Sequence, residues 1–357
     1  MLPFLLRPAF KDYLWGGGAL RRDYGKVTNL PVVAESWELS AHKDGCCVIA
    51  SGAMAGTSFD VFARAHPDLL GENCRGYASF PILVKLIDAK QPLSVQVHPD
   101  DTYAYRVEGE PGKTEMWVVL DHDPGAFLYY GLRRDATKEE LRSRLANGTV
   151  TELLRPCPVR RGDVFIIEAG TLHAIGAGIV LAEIQENSNS TYRVYDYGRK
   201  DVSGRERPLH IDKALDVVSL QASTPPERMP APPVLVPCCR EAATKNKNLG
   251  CGLQVQPTLE EAVGYQCRRL AATPYFITDR LDLNGSYRKN MDDNSFLCLL
   301  CAEGRAFLRS PEDSLDVRKG DCAFVPSGSA GFLLEGEGSF LLVSVPPSTR
   351  LSNAERA

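Results

Sequence analysis

The chain has 357 residues, 44% apolar and 24% charged, an ordinary globular composition too long for one small core, so one large or two to three smaller domains are expected. A formal net charge of −4 excludes the strongly basic field that would hold nucleic acid or an anionic membrane. No run approaches the roughly 18–20 apolar residues of a membrane span, and the opening MLPFLLRPAFKDYLWGGG reaches Arg7 and Pro8 too early for a signal peptide, so a soluble cytoplasmic protein is expected.

In chain order, Gly16-Gly17-Gly18 comes first and is not a phosphate-binding loop, because no helix opening with Lys-Ser or Lys-Thr follows. Trp15 and Trp37 are expected to pack in the core rather than to stack on a bound ligand. Strand-like segments then dominate: FPILVKLI (80–87), LSVQVH (93–98), EMWVVLD (115–121), DVFIIEAG (163–170) and IVLAEIQE (179–186). They are rich in β-branched and aromatic residues and bounded by Gly, Pro and Asp. Asp100-Asp101 reads as a cap or turn rather than as ligands of a second metal.

Two helices are expected. DATKEELRSRLANG (135–148) carries a capping box, Thr137 to Glu140, and ends at Asn147-Gly148. HIDKALDVVSL (210–220) is the second. The proline-dense stretch 222–237 reads as a semi-rigid connector, strands resume to about residue 345, and the last dozen residues are expected to fray. Domain boundaries follow: 1–221, a linker at 222–237, and 238–357. Eleven cysteines without repeating spacing read as reduced, buried thiols, and Cys298 and Cys301, three apart on a strand, are expected to face opposite sides.

The two β-rich halves share a pattern. RRGDVFIIEAGTLHAIGAG and VRKGDCAFVPSGSAGFLLEG align so that Gly162-Asp163 falls on Gly320-Asp321, Glu168 on Pro326, Gly170 on Gly328 and His173 on Gly331. A repeat on this scale implies a duplicated β domain. The spacing G-(x)5-P-x-G-x-x-H resembles the second motif of the cupin superfamily, in which the His is a metal ligand. The expected fold is therefore mainly β, two jelly-roll-like cupin barrels with a short helical interlude. A glycine cannot ligate, so the C-terminal barrel is expected to be structural and without a metal site.

In the first half, Gln96 and His98 lie two apart on a strand and face the same way. Glu115 opens another strand, and His173 heads the strand after the glycine turn. Two imidazoles, a carboxylate and an amide oxygen suit a divalent ion such as Zn²⁺, with room for water or substrate. The other four histidines, His42, His66, His122 and His210, show no such context.

The longer stretches LWGGGAL, ESWELSAH, KLIDAKQPLSVQVHPDD, GKTEMWVVL and GTLHAIGAGIVLAEIQENSNSTYRVYDYGR resemble the type I mannose-6-phosphate isomerases, zinc-dependent cupin enzymes, in their shorter bacterial form. The resemblance implies an aldose–ketose isomerase of mannose 6-phosphate and fructose 6-phosphate, with one Zn²⁺ per chain held by Gln96, His98, Glu115 and His173. It implies substrate contacts from Ser94 and Lys113 and an active-site arginine at Arg193, and Glu183 fits a family carboxylate beside the site. The implied partner is a small phosphosugar, with no nucleic acid and no membrane, on a monomer or weak homodimer. Longer members also carry a larger helical domain and an acidic residue soon after the last His ligand, whereas residues 174–179 hold none.

Aldose–ketose interconversion moves a proton between C2 and C1 through a cis-enediolate. It needs an electrophile for the oxygens, a base reaching both carbons, and a phosphate anchor. Zinc meets the first need, Arg193 can donate two aligned hydrogen bonds to the enediolate, Lys113 or Ser94 can hold phosphate or relay a proton, and Glu183 is the candidate base. Lys85, Arg199 and Lys200 are further cations, read as a solvated face. Two other classes compete: a metal cupin that activates oxygen, and a non-catalytic bicupin that binds a sugar phosphate. The amide ligand and the retained Lys and Arg residues favour the isomerase.

Overall fold

The computed structural model describes residues 1–201, 203–224 and 264–347. Within them the architecture is mainly β, as the sequence implied, with three antiparallel sheets and short helices on the connections. A six-stranded sheet runs in the order Val164–Ile167, Glu115–His122, Ile179–Glu186, Ile82–Ala89, Glu35–Leu39, Ala9–Lys11. A five-stranded sheet packs against one face of it, in the order Tyr192–Tyr195, Val95–Val97, His173–Ala174, Phe127–Leu132, Leu154–Pro158.

The third sheet holds Tyr265–Ala272, Ile277–Lys289, Phe332–Ser344, Leu297–Arg309, Cys322–Val325 and, on Leu297–Arg309, Ser314–Arg318. It continues into the other half of the chain through Phe4–Arg7 and Val48–Ile49. The N-terminal strand therefore pairs with a strand more than three hundred residues away, Phe4 opposite Phe324. The connector expected at 222–237 lies, from residue 225 on, outside the described residues, as do Cys238 and Cys239.

The six-stranded sheet is covered on both faces, which explains why its central strands read as continuous apolar runs rather than alternating ones. All eight residues of Ile82–Ala89 and of Ile179–Glu186 are buried. Met116, Val118, Val84, Leu86, Val180, Ala182 and Ile184 face a core shared with Phe296, Cys298, Leu300, Phe324 and Val343 of the third sheet. Trp117, Val119, Ile87, Ile179 and Leu181 face the five-stranded sheet. Glu115, Lys85 and Glu183 fall on this second face by the two-residue period. Cys298 joins the shared core and Cys301 the separate core of the third sheet, so the two do face opposite ways.

The repeat is visible in the turns. Gly162 and Gly320 adopt φ of 89° and 93°, in the left-handed region that favours glycine. In each turn the aspartate that follows accepts a 2.9 Å hydrogen bond from a backbone N–H three residues earlier, Arg160 to Asp163 and Arg318 to Asp321. Gly331, opposite His173 in the alignment, also has positive φ, and an added Cβ would strike the Lys289 carbonyl. The interior beside it is filled by Leu281, Leu299, Leu334, Phe340 and other apolar side chains.

Of the two expected helices, the first is Lys138–Ala146, with the Thr137 hydroxyl accepting from the Glu140 N–H, and the second is Ile211–Val217. Asp101–Val107 was not expected as a helix; Asp100 caps it, accepting from the Tyr103 N–H at 2.8 Å. Among the described residues no helix is long and apolar enough to cross a membrane.

Candidate metal centre

The residues proposed as ligands converge between the two facing sheets. His173 sits in register with Gln96 on the neighbouring strand, and the Gln96 amide nitrogen is 3.3 Å from His173 Nε2. Glu115 reaches in from the six-stranded sheet, with Oε1 3.3 Å from His173 Nε2 and Oε2 3.5 Å from His98 Nε2. The ligand atoms of His98, Glu115 and His173 all lie within 4.8 Å of one another, and all three residues are buried.

Each imidazole is fixed by its other nitrogen. His98 Nδ1 is 2.9 Å from the Ser190 carbonyl and His173 Nδ1 2.8 Å from the Thr171 carbonyl. A carbonyl only accepts, so Nδ1 carries the hydrogen and the Nε2 lone pair points into the site, the arrangement of a metal-ligating His. Burial, reinforced by Lys113, lowers the His98 pKa to about 4, and burial lowers that of His173, so both rings are neutral. Burial alone would raise the Glu115 pKa, but the Lys113 ammonium overcomes it and holds the carboxyl well below its ordinary range.

His98 Nε2 and both Glu115 oxygens have no hydrogen-bond partner, although Lys113 Nζ stands 2.8 Å from Oε2 as an ion pair in poor hydrogen-bond geometry. Buried acceptors without donors are costly. Converging lone pairs from two neutral imidazoles and a carboxylate, beside an amide whose oxygen can take the place of its nitrogen, fit a divalent ion such as zinc.

A chain of alternating charge leads away from this point along the inner face. Lys113 Nζ lies 3.9 Å from Glu183 Oε1, Lys85 Nζ 2.9 Å from the same oxygen, and Glu35 Oε2 3.9 Å from Lys85 Nζ. Two indoles pin the carboxylates: Trp117 Nε1 donates to Glu183 Oε2 at 3.0 Å, and Trp37 Nε1 to Glu35 Oε2 at 2.7 Å. Burial would lower the Lys85 pKa, but Glu183 and Glu35 outweigh it and raise it. The solvated face expected for Lys85 is thus not found: a lysine on a doubly covered strand must be neutralised inside. Trp37 is buried as expected, and Lys85 also lies over its ring, 5.1 Å from the centroid.

On the other side of the centre, Arg193 lies opposite Gln96 in the strand pairing. Its Nε donates to the Ser94 hydroxyl at 3.2 Å and its Nη1 to the Pro208 carbonyl at 3.2 Å. Nearby, Arg199 and Arg207 both bind Asp196, Arg207 in fork fashion at 2.7 Å to each oxygen. Burial would raise the Asp196 pKa, but the two guanidiniums bring it below its usual value, while burial followed by Arg207 lowers that of Arg193. Two of the three guanidiniums are bound to one carboxylate and Arg193 binds neutral oxygens, which leaves an excess of positive charge beside the candidate centre. Arg199 is therefore part of this cluster rather than a solvated cation. Sequence reading missed Arg207, Asp196 and Glu35; a second buried acid and a cation-rich run RKDVSGRER after Tyr197 were the available signals.

The family model for phosphomannose isomerase type I, catalytic domain, matches residues 4–120, and that for the mannose-6-phosphate isomerase cupin domain matches residues 268–345. The mannose-6-phosphate isomerase of Streptococcus mutans is 34% identical over 336 residues, 94% of this chain and 96% of that protein. The mannose-6-phosphate isomerase ManA of Bacillus subtilis is 36% identical over 335 residues, with the same coverages. The crystal structure of the mannose 6-phosphate isomerase from Bacillus subtilis superposes with a TM-score of 0.80 at 30% identity, covering 96% of this chain and 99% of that one. A mannose 6-phosphate isomerase structure with zinc bound, 18% identical, shares the fold at a TM-score of 0.70, covering 96% of this chain and 99% of that one.

Proposed function

The chain belongs to the type I mannose-6-phosphate isomerases, a family of aldose–ketose isomerases, and we propose that it interconverts mannose 6-phosphate and fructose 6-phosphate through a cis-enediolate at a single zinc ion held by Gln96, His98, Glu115 and His173. The observation that carries the proposal is the set of buried acceptors on His98 and Glu115 that no hydrogen-bond donor satisfies, next to the arginine-rich rim. When bound, zinc supplies a Lewis acid for the sugar oxygens on which negative charge develops.

The chain's own residues do the rest. Arg193, with Arg199 and Arg207 steadied by Asp196, provides the fork geometry and surplus charge that suit a phosphate dianion. Ser94 fixes the Arg193 guanidinium. Glu183 is the proposed base. Each of its oxygens spends one lone pair on Lys85 or Trp117, leaving one on each for a proton. In the aldose-to-ketose direction it takes the proton from C2, the electron pair forms the C1–C2 double bond, and negative charge moves to O1. The hydroxyl proton of O2 then passes to O1, and the proton held by Glu183, exchangeable with solvent, is delivered to C1, so that the carbonyl now stands at C2. Lys113, between Glu115 and Glu183, is placed to donate to the oxygen that becomes charged. The second β domain is proposed to serve the site only by burying the outer face of the six-stranded sheet.

A coupled assay of mannose 6-phosphate conversion, followed by product analysis after turnover in deuterated water, tests this reading. Turnover with deuterium appearing at C1 of fructose 6-phosphate is expected. Absence of turnover in the folded, zinc-loaded protein would overturn the isomerase reading, and turnover with no deuterium at any conversion would remove the role given to an exchangeable base.

A further inference from the structure

We propose that Glu110 is a positioning residue for the metal ligand His98, acting through Ser190; the inference rests on the metal reading above. The His98 ring is aimed by one contact to the main chain, Nδ1–H to the Ser190 carbonyl. Ser190 lies in the connection between Ile179–Glu186 and Tyr192–Tyr195, outside both strands, so no ladder fixes the direction of that carbonyl.

Side chains fix it instead. Gln185 Nε2 donates to the Ser188 and Glu186 carbonyls at 2.6 and 2.7 Å, and the Ser190 N–H donates to the Ser188 hydroxyl at 3.2 Å. These contacts shape the loop from within. The tie on Ser190 from elsewhere in the chain is its hydroxyl, which donates to Glu110 Oε1 at 2.6 Å, the short distance of a charge-assisted bond. Asp44 makes the companion tie, accepting from Asn189 Nδ2 at 3.0 Å. Glu110 follows the helix Asp101–Val107 and precedes Lys113, so the connection that leads into the strand of Glu115 also braces the loop that aims His98.

Partners that orient a ligating His typically contribute 10–100-fold in metal affinity. Glu110 acts one bond further out, so the lower end applies. The test is the zinc dissociation constant, measured by competition with a chromophoric chelator, beside the denaturant midpoint of each metal-free protein. Glu110→Ala and Ser190→Ala are each expected to weaken zinc about 10-fold. Their combination should be no weaker than either alone, because both cut the same link. Glu110→Gln, whose amide oxygen still accepts from the hydroxyl, is expected to stay within about twofold of the parent protein, since that bond is retained. Metal-free midpoints should fall in the two alanine variants, which lose a charge-assisted bond, so each affinity is read in buffer where that variant is fully folded. If Glu110→Ala does not fold, Ser190→Ala and Glu110→Gln carry the test. Parental affinity in Ser190→Ala, or additive losses in the double variant, would overturn the proposal while leaving the zinc site in place. A parent protein that binds no zinc would instead remove the reading on which it rests.

Discussion

Phe324→Ala reaches across the two halves of the chain. The ring is fully buried in the shared core, stacked on Phe4 at 5.2 Å and on Phe296 at 5.1 Å, with Phe59 and Phe62 edge-on at 5.2 and 5.9 Å. Truncating a buried Phe costs about 3–5 kcal/mol in lost transfer energy and cavity. Phe4 is held by strand pairing and Phe59 and Phe62 by a helix, so the site collapses poorly and the upper half of that range, about 4–5 kcal/mol, is expected. The tryptophans of the chain, Trp15, Trp37 and Trp117, all lie in the first half, while Phe324 lies in the second. Denaturant unfolding of the metal-free protein followed by tryptophan fluorescence therefore reports on a region remote from the substitution, and circular dichroism reports on both halves. If the core joins the halves into one cooperative unit, both probes shift together to lower denaturant, with unchanged slope. A fluorescence transition that stays in place while the dichroism splits in two would refute that reasoning.

Three further outcomes are expected. Lys26 Nζ lies 2.6 Å from the fully buried Glu38 and donates to the Gly320 carbonyl, so Lys26→Met, which strands that carboxylate, should destabilise by about 3–5 kcal/mol, and the added change Glu38→Leu should recover most of it in the same denaturant measurement. Burial, and then Asp101, raise the Glu186 pKa well above the ordinary range. The native state thus keeps this proton after the unfolded chain has released it, and stability falls as pH rises from the unfolded value towards the native one. Glu186→Gln, which can still accept from the Thr114 N–H, should therefore gain stability relative to the parent protein at pH 8 and not at pH 4, and an equal difference at both would contradict the assignment. Arg207→Ala, removing one of the charged contacts proposed for the phosphate, worth about 1.5–3 kcal/mol, should raise KM for mannose 6-phosphate at least about 10-fold with a smaller change in kcat, as steady-state kinetics would show.

The parts legible in the sequence were those set by short-range periodicity. Gln96 and His98 share a face because they are two apart, and the capping box at Thr137 marks its helix start. The repeat showed in its Gly-Asp turns, whose left-handed glycines and aspartate bonds recur in both halves. What long-range pairing decides was not legible. Nothing near Phe4 announces a partner at Phe324, and nothing near Glu110 announces Ser190. The helix Asp101–Val107 was hidden because Thr, Tyr and Val favour strands on composition alone, and its Asp100 cap outweighed them. Lys85 carried a signal that could have been used: a lysine inside ILVKLI, on a strand apolar on both faces, requires a buried carboxylate, and Glu183 supplies it.

The proposed zinc isomerase is put at most direct risk by a zinc titration of the chelated, metal-free protein with the mannose 6-phosphate assay as readout. No turnover is expected without metal, and recovery should be linear and stop at one equivalent of zinc per chain, with His173→Ala showing no recovery in that range. Full turnover in the verified metal-free protein, or recovery that ignores the loss of His173, would contradict it.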